Sequence, residues 1–190
     1  MCPVIEPKTT TRALLRPLSN DTLVARGVAL KLLPEVLAWC DPEPEDEELK
    51  IEILDDLIKV LDRSWDWSGY ELAKSLDDEA WSTNSELAGI LDAAAGHRWD
   101  VHAQLVKDWV YAYQIKPLHS IGDHVEWSLA PREPNGKTLR GVIIEIDYEL
   151  ARYTVELMQR DTLKGKDQSC KHLVDCEKID GAAIGVVRQV

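Results

Sequence analysis

The feature that most constrains the fold is a change in the spacing of apolar residues near Pro117. Before it, apolar side chains recur at every third or fourth residue, as in Val24, Val28 and Leu32, which is the period of an amphipathic helix. After it, apolar and polar residues alternate, most clearly in GVIIEIDYELARYTVEL at 141–157, which is the period of a strand with one buried face. The chain therefore predicts an α+β fold, a helical bundle followed by a small β-barrel.

These periods and the proline positions divide the chain into three parts. We predict an irregular arm, an acidic α-helical domain and a β-barrel domain, at 1–18, 19–116 and 117–190.

Proline, glycine and capping residues predict where the helices begin and end. Pro34 is expected to end or kink the first helix, or to start a short second piece, because proline lacks the amide hydrogen that a helix interior needs. Capping boxes at 68–71 and 83–86 predict two helix starts, with Ser68 and Thr83 as caps. Gly96 is expected to end the second of these helices. A last helix is predicted at about 99–113, with Trp99 in its buried stripe.

Alternation assigns the side chains of the strands to faces. Val125 and Trp127 are expected on one face of their strand. In the next strand, Val142, Ile144 and Ile146 are expected to share the buried face.

Four short motifs in the last third of the chain carry a resemblance. They are Gly-Asp-x-Val at 122–125, Gly-Val-Ile at 141–143, Tyr-Thr-Val-Glu-Leu at 153–157 and Leu-Val-x-x-Glu at 173–177. This region resembles the SH3-like small barrels of the Tudor and ribosomal KOW type, which implies a fold and leaves the activity open. The loop at 130–140 and the Lys-rich segment at 160–171 depart from that pattern, so no partner is carried over.

The charge of the chain limits the classes of partner. The net charge is −12, with 12 Lys and Arg against 22 Asp and Glu in residues 1–117 and 10 against 12 in residues 118–190. Nucleic-acid affinity grows from neutralising phosphates with Lys and Arg, so nonspecific nucleic-acid binding and binding to anionic membranes are disfavoured. An acidic body accommodates a basic protein partner more easily.

Four scattered cysteines, at 2, 40, 170 and 176, are too few for a disulfide-stapled scaffold. The first residues lack the apolar core of about 7–15 residues that a signal peptide needs. No run approaches the roughly 20 apolar residues of a membrane-spanning helix. A reducing, cytoplasmic setting is expected.

The stretch SWDWSGYELA brings together Trp65, Trp67 and Tyr70. Exposed, they would form an anchor patch of the residue types that interfaces favour. Buried, they would form the corner where two helices meet, and in a chain with 7 Trp and no Phe the corner is the favoured reading. This cluster is the best interaction candidate of the helical part.

The barrel offers two protein-binding candidates. An aromatic cage of Trp127, Tyr148 and Tyr153 would hold a methylated cation, but alternation places Trp127 and Tyr153 in the core and leaves only Tyr148 exposed. The outer face of the hairpin carries Glu145, Asp147 and Glu156 beside Tyr148, and it would meet a basic peptide unless it is an ordinary solvated face.

A nucleic-acid alternative uses the basic loops of the barrel. If those loops converge, six cations could follow a phosphate backbone: Arg132, Lys137, Arg140, Lys164, Lys166 and Lys171.

Metal and catalytic motifs are weak. Cys170, His172 and Cys176 are chemically suitable zinc ligands without an apparent fourth, and structural cysteines are the better explanation. No local catalytic motif or phosphate loop is found. We therefore expect a non-catalytic binding or adaptor protein without a cofactor, which engages a protein partner through the helical aromatic corner or the barrel.

Overall fold

The computed structural model describes residues 15–40, 47–64, 67–128, 138–157 and 171–180. The chain divides into two compact units, Met1–Leu105 and Val106–Val190. The helices are α1 (Thr22–Cys40), α2 (Glu47–Arg63), α3 (Gly69–Asp77), α4 (Ser85–Leu91), α5 (Ala94–Ala112) and α6 (Cys176–Asp180). The strands are β1 (His124–Ser128), β2 (Thr138–Asp147), β3 (Arg152–Leu157) and β4 (Lys171–Asp175). The predicted α+β class is confirmed, and the unit boundary falls within α5.

The helical unit is built on α1, which runs through Pro34 without ending there. Leu32 and Val36 on either side of the proline are both buried in the helical core. Tertiary packing of these apolar residues outweighs the loss of one backbone hydrogen bond. The expectation that the helix ends at Pro34 is therefore wrong.

Side-chain caps start α3 and α4. Ser68 caps α3 and accepts a hydrogen bond from the backbone amide of Glu71, as the capping box predicts. The cap of α4 is Asn84 rather than Thr83, and its side chain accepts from the amide of Glu86 at 3.0 Å. Asparagine and threonine are both good caps, and asparagine is the stronger of the two, so the cap shifts by one residue.

The start of α5 differs from the prediction. The helix begins at Ala94, so Gly96 lies inside it instead of ending α4. The helix therefore starts five positions before the predicted Trp99, and its buried Ala94 lies outside the predicted range.

Four antiparallel strands form one sheet in the order β1-β2-β3-β4. Among the described residues the sheet is open, with β1 and β4 as its edges, and it is not closed into the predicted barrel. It is nevertheless strongly curved, because Trp127 of β1 and His172 of β4 are in ring contact, with centroids 6.2 Å apart. The short helix α6 contacts both edge strands.

The inward face of the sheet follows the alternation of β1 and β3. Val125 and Trp127 are buried, and so are Tyr153 and Val155, as predicted. The Tyr153 hydroxyl accepts a hydrogen bond from the backbone amide of His119 at 3.0 Å. Trp127 and Tyr153 are therefore core residues and do not form a cage.

A β-bulge changes the alternation of β2. The register between β2 and β3 shifts between Ile143 and Glu145, which inserts an extra residue and moves the following side chains to the other face. Ile143 is consequently fully buried, whereas Val142 and Ile144 are only half-buried. The predicted buried face is therefore right for Ile146, which packs against the sheet core, and wrong for Val142 and Ile144, which lie before the bulge and at it.

The core of the second unit includes the last turns of α5. Val106, Trp109 and Val110 pack with the inward residues of the sheet. Gln114 has a φ of 51°, the left-handed conformation that commonly ends a helix. The next amide, of Ile115, donates back to the Val110 carbonyl at 3.0 Å, so the chain turns into the sheet unit there. No helix in the described ranges has the length and apolar character to cross a membrane.

Candidate functional site

Trp67 forms the floor of the candidate site. Its ring is buried in the helical core with 6 % of its surface exposed, and its indole Nε1 donates to the Ser64 carbonyl at 3.0 Å. Trp65 lies outside the described residues. Of the two predicted alternatives, an exposed anchor patch or a buried corner between helices, Trp67 fits the buried corner. Because its ring is buried, Trp67 cannot itself be an anchor.

Tyr70 is the exposed member of the predicted corner. Its side chain is 70 % exposed and lines an open groove of about 360 Å³ between α3 and α4, together with Ala73, Lys74, Asp77 and Ala88. A large aromatic ring is therefore available at the rim of a groove that has both apolar and charged walls.

The predicted burial of Trp99 is wrong. Trp99 is 71 % exposed instead of buried. Among the half-buried positions of α5 in this unit, Arg98, Val101 and Leu105 recur at three and four residues, and Trp99 lies outside that stripe. The signal was present in the sequence, because charged residues flank Trp99 on both sides.

Arg98 lies over the floor of the site. Its guanidinium carbon is 4.6 Å from the centroid of the Trp67 ring, a cation–π contact that contributes on the order of 0.5–2 kcal/mol. Its Nε donates to the carbonyl of Ser19 at 3.1 Å. These two contacts hold the plane of the guanidinium, and Arg98 also lines a pocket.

That pocket has a volume of about 350 Å³ and is lined by Trp67, Ser68, Asp92, Ala95, Arg98 and Trp99. We call it the Arg98 pocket. We use "aromatic surface" for Trp67, Tyr70, Arg98 and Trp99 together.

The close approach of α3 and α4 at Gly69 shapes both cavities. A Cβ at this position would lie 1.9 Å from the carbonyl oxygen of Ala88, so only glycine fits. The Gly69 amide donates to Oδ1 of Asp92 at 2.6 Å. The groove at Tyr70 includes Ala88, and the Arg98 pocket includes Asp92, so both border this contact.

The predicted acidic hairpin face consists of Glu145, Asp147, Tyr148 and Glu156, which we call the hairpin face. Glu145, Asp147 and Tyr148 are exposed and Glu156 is half-buried. Oδ1 of Asp147 accepts from the Leu150 amide at 3.0 Å and so fixes the turn. The exposed acids of this face therefore have local structural roles.

Neighbouring side chains contact these acids or lie opposite them. Glu145 accepts from the Thr154 hydroxyl at 3.3 Å, and Glu156 lies opposite Lys171 in the β3–β4 register. In the turn, Lys107 pairs with Glu149 at 2.6 Å. The hydrogen bond and the charge of Glu149 raise the pKa of Lys107.

The structure describes only two of the six residues of the nucleic-acid alternative. Arg132, Lys137, Lys164 and Lys166 lie outside the described residues. Nε of Arg140 pairs with Oε1 of Glu126 at 2.6 Å, and Lys171 is exposed. These two residues give no support to a converging basic surface.

Of the three candidate zinc ligands, the structure likewise describes only two. Cys170 lies outside the described residues, the His172 ring contacts Trp127, and Cys176 is fully buried in the sheet core. In the part of the chain that the structure describes, no three His, Cys, Asp or Glu side chains are grouped so as to hold a metal ion.

Comparisons with known proteins give no relative from which a role could be transferred. No protein-family model, no curated protein and no solved structure matches the chain. The function must therefore be argued from the geometry of the site.

Proposed function

We propose that this protein is a non-catalytic adaptor whose aromatic surface binds a protein partner. The observation that carries the proposal is the exposure of Tyr70 and Trp99, at 70 % and 71 %, beside the buried ring of Trp67. Tryptophan, tyrosine and arginine are the residue types that contribute most to binding energy at interfaces, and the surface contains all three.

Burial of the two exposed rings supplies the driving force. An aromatic side chain buries about 150–250 Å², and each Å² of apolar area contributes about 25 cal/mol. The gross gain is several kcal/mol per ring, and association entropy and side-chain ordering offset part of it. Two such rings, Trp99 in the Arg98 pocket and Tyr70 in the groove between α3 and α4, suffice for a small, specific interface.

The hairpin face supports a partner less well. Its carboxylates already accept hydrogen bonds from Leu150 and Thr154 or lie near cations. A partner would have to replace those contacts, so the net gain would be small. The proposal therefore assigns recognition to the helical unit.

For the second unit we propose an SH3-like small barrel that supports the adaptor role. The four-stranded meander, the contact between Trp127 and His172 and the position of α6 against both edge strands support it. Amide hydrogen exchange along β1 tests it. In an edge strand only alternate amides are protected, whereas protection of consecutive amides from His124 to Trp127 would support closure.

The adaptor proposal is tested by quantitative affinity capture with the full chain. Captured proteins are compared by mass spectrometry between the wild type, the double variant Tyr70→Ala/Trp99→Ala and the control Tyr111→Ala/Tyr148→Ala. The control removes two rings that are 80 % and 65 % exposed in the other unit. We expect a partner that falls at least about tenfold with the first variant and is retained by the control, since tenfold corresponds to about 1.4 kcal/mol. Equal capture by all three proteins would overturn the proposal.

A further inference from the structure

In the part of the chain that the structure describes, no carboxylate forms an ion pair with Arg98, the cation of the Arg98 pocket. Lys59, Lys107 and Arg152 are half-buried like Arg98, and each pairs with a carboxylate. The chain has 34 Asp and Glu against 22 Lys and Arg, so acids are abundant. Yet among the described residues Arg98 has only its stacking contact with Trp67 and its Nε hydrogen bond. Its terminal nitrogens are left for another group.

From this we infer that the Arg98 pocket binds the C-terminal carboxylate of a partner protein whose last residue is apolar. The inference rests on the proposed function and names the chemistry of its partner. A guanidinium presents parallel N–H donors that match the two oxygens of a carboxylate. Because stacking and the bond to the Ser19 carbonyl already hold the plane of Arg98, little side-chain entropy is lost on binding.

The other walls of the pocket suit the rest of a terminal residue. The exposed ring of Trp99 and the small side chain of Ala95 provide an apolar wall. Asp92 uses Oδ1 for the Gly69 amide, and its second oxygen can accept the backbone N–H of the bound peptide. The volume of about 350 Å³ lies at the lower end of the range for ligand pockets, which fits one residue better than a cofactor.

The charge of the chain favours a C-terminus over an acidic segment. Residues 1–117 carry 12 Lys and Arg against 22 Asp and Glu, so a segment with several carboxylates is repelled. A C-terminus presents one carboxylate next to an apolar side chain on the same residue. That combination satisfies Arg98 and Trp99 together with the least added negative charge.

Three acetylated peptides test the inference directly with the full chain. The first is Gly-Ser-Gly-Ser-Leu with a free C-terminus, the second is its C-terminal amide, and the third is Gly-Leu-Glu-Gly-Ser amide with an internal carboxylate. Binding is followed by NMR at the Trp99 indole and the Arg98 Nε–H. We expect saturable shifts with the first peptide and at least about tenfold weaker binding of the other two, because only the first carries a carboxylate and an apolar side chain on the same residue.

Matched variants show whether Arg98 is responsible. Arg98→Gln is expected to weaken binding of the free-acid peptide at least about tenfold. Arg26→Gln makes the same charge change at an exposed residue of α1 and is expected to leave binding unchanged. Arg98→Lys keeps the charge without the planar fork and is expected to recover only part of the affinity. Thermal unfolding of each variant shows that the chain is folded in the assay.

The outcomes separate this inference from the proposed function. Equal binding of the amide or of the internal-Glu peptide, or no binding of the free-acid peptide, overturns the inference. If partner capture depends on Tyr70 and Trp99 but not on Arg98, the adaptor function stands and the carboxylate inference falls. If capture is insensitive to all three residues, the proposed function itself fails.

Discussion

The aromatic surface and the hairpin face differ in how their charges are used. Both present exposed aromatic rings, Trp99 on one and Tyr148 on the other. On the hairpin face, Asp147 accepts a backbone hydrogen bond and Glu145 accepts one from a neighbouring hydroxyl. On the aromatic surface, Arg98 stacks on a ring and pairs with no described acid. Exposure alone thus does not distinguish the two surfaces, whereas an ordered guanidinium without an acidic partner among the described residues distinguishes the first.

The largest expected effect is a difference in stability between variants of Trp67, the buried ring of the aromatic surface, and of Trp99, an exposed ring of the same surface. Trp67→Ala should destabilise the protein by about 3–5 kcal/mol, because it leaves a cavity in the helical core. Trp99→Ala, at an exposed position, should stay within about 0.5 kcal/mol. Urea unfolding of the two variants measures this, and similar losses would mean that Trp99 is a packing residue and that the surface has no free anchor.

The close approach at Gly69 should be the next most sensitive feature. Gly69→Ala should destabilise by about 1–3 kcal/mol through overpacking, because its Cβ would overlap the Ala88 carbonyl. Gly89→Ala in α4 is the control, since a Cβ there meets nothing within 4 Å, and it should stabilise by about 0.5–1 kcal/mol through helix propensity. Thermal unfolding compares the two. A neutral Gly69→Ala variant would show that α3 and α4 do not need this contact to form the two cavities.

The sequence predicted the helices and strands that carry both surfaces better than it predicted the faces on which individual side chains lie. Ser68 as a cap and Tyr153 as a core residue followed from local patterns. Trp99 was assigned to the wrong face because one buried stripe was followed along the whole of α5, whereas Val101 and Leu105 pack in the helical core and Val106 packs in the sheet core. Likewise, the bulge after Ile143 arises from pairing with β3, and alternation within one strand cannot reveal it. The unpaired state of Arg98 depends on tertiary contacts with Trp67 and Ser19.

A third experiment tests whether the ion pairs of Glu79 stabilise the helical unit. Arg98, by contrast, forms no ion pair among the described residues. Glu79 bonds Lys59 and Arg63, and the hydrogen bond from Lys59 and the charges of both cations lower its pKa from 4.5. A depressed folded-state pKa contributes stability above the unfolded value, and that contribution is lost as the pH falls through the folded value.

Glu79→Gln should accordingly lower the melting temperature at pH 7. The difference from the wild type should shrink below pH 4.5, as the wild-type carboxylate becomes protonated. Melting curves from pH 7 to pH 3 measure it, with Glu52→Gln at an exposed position of α2 as a control for the general effect of removing one acid. A difference in melting temperature that stays constant with pH would show that the Glu79 ion pairs do not stabilise the fold. Cations with and without an acidic partner would then contribute equally to stability.

The smallest effect is expected on the hairpin face. The double variant Glu145→Lys/Glu156→Lys reverses two of its charges, and surface substitutions of this kind usually change stability by no more than about 0.5 kcal/mol. If recognition belongs to the aromatic surface, partner capture by this variant should remain within about twofold of the wild type, because the reversed charges act only through screened long-range fields. The measurement is the same capture assay at 150 mM salt, a concentration at which such fields extend about 8 Å. A loss of the Trp99-dependent partner would move recognition to the hairpin and reverse the comparison between the two surfaces.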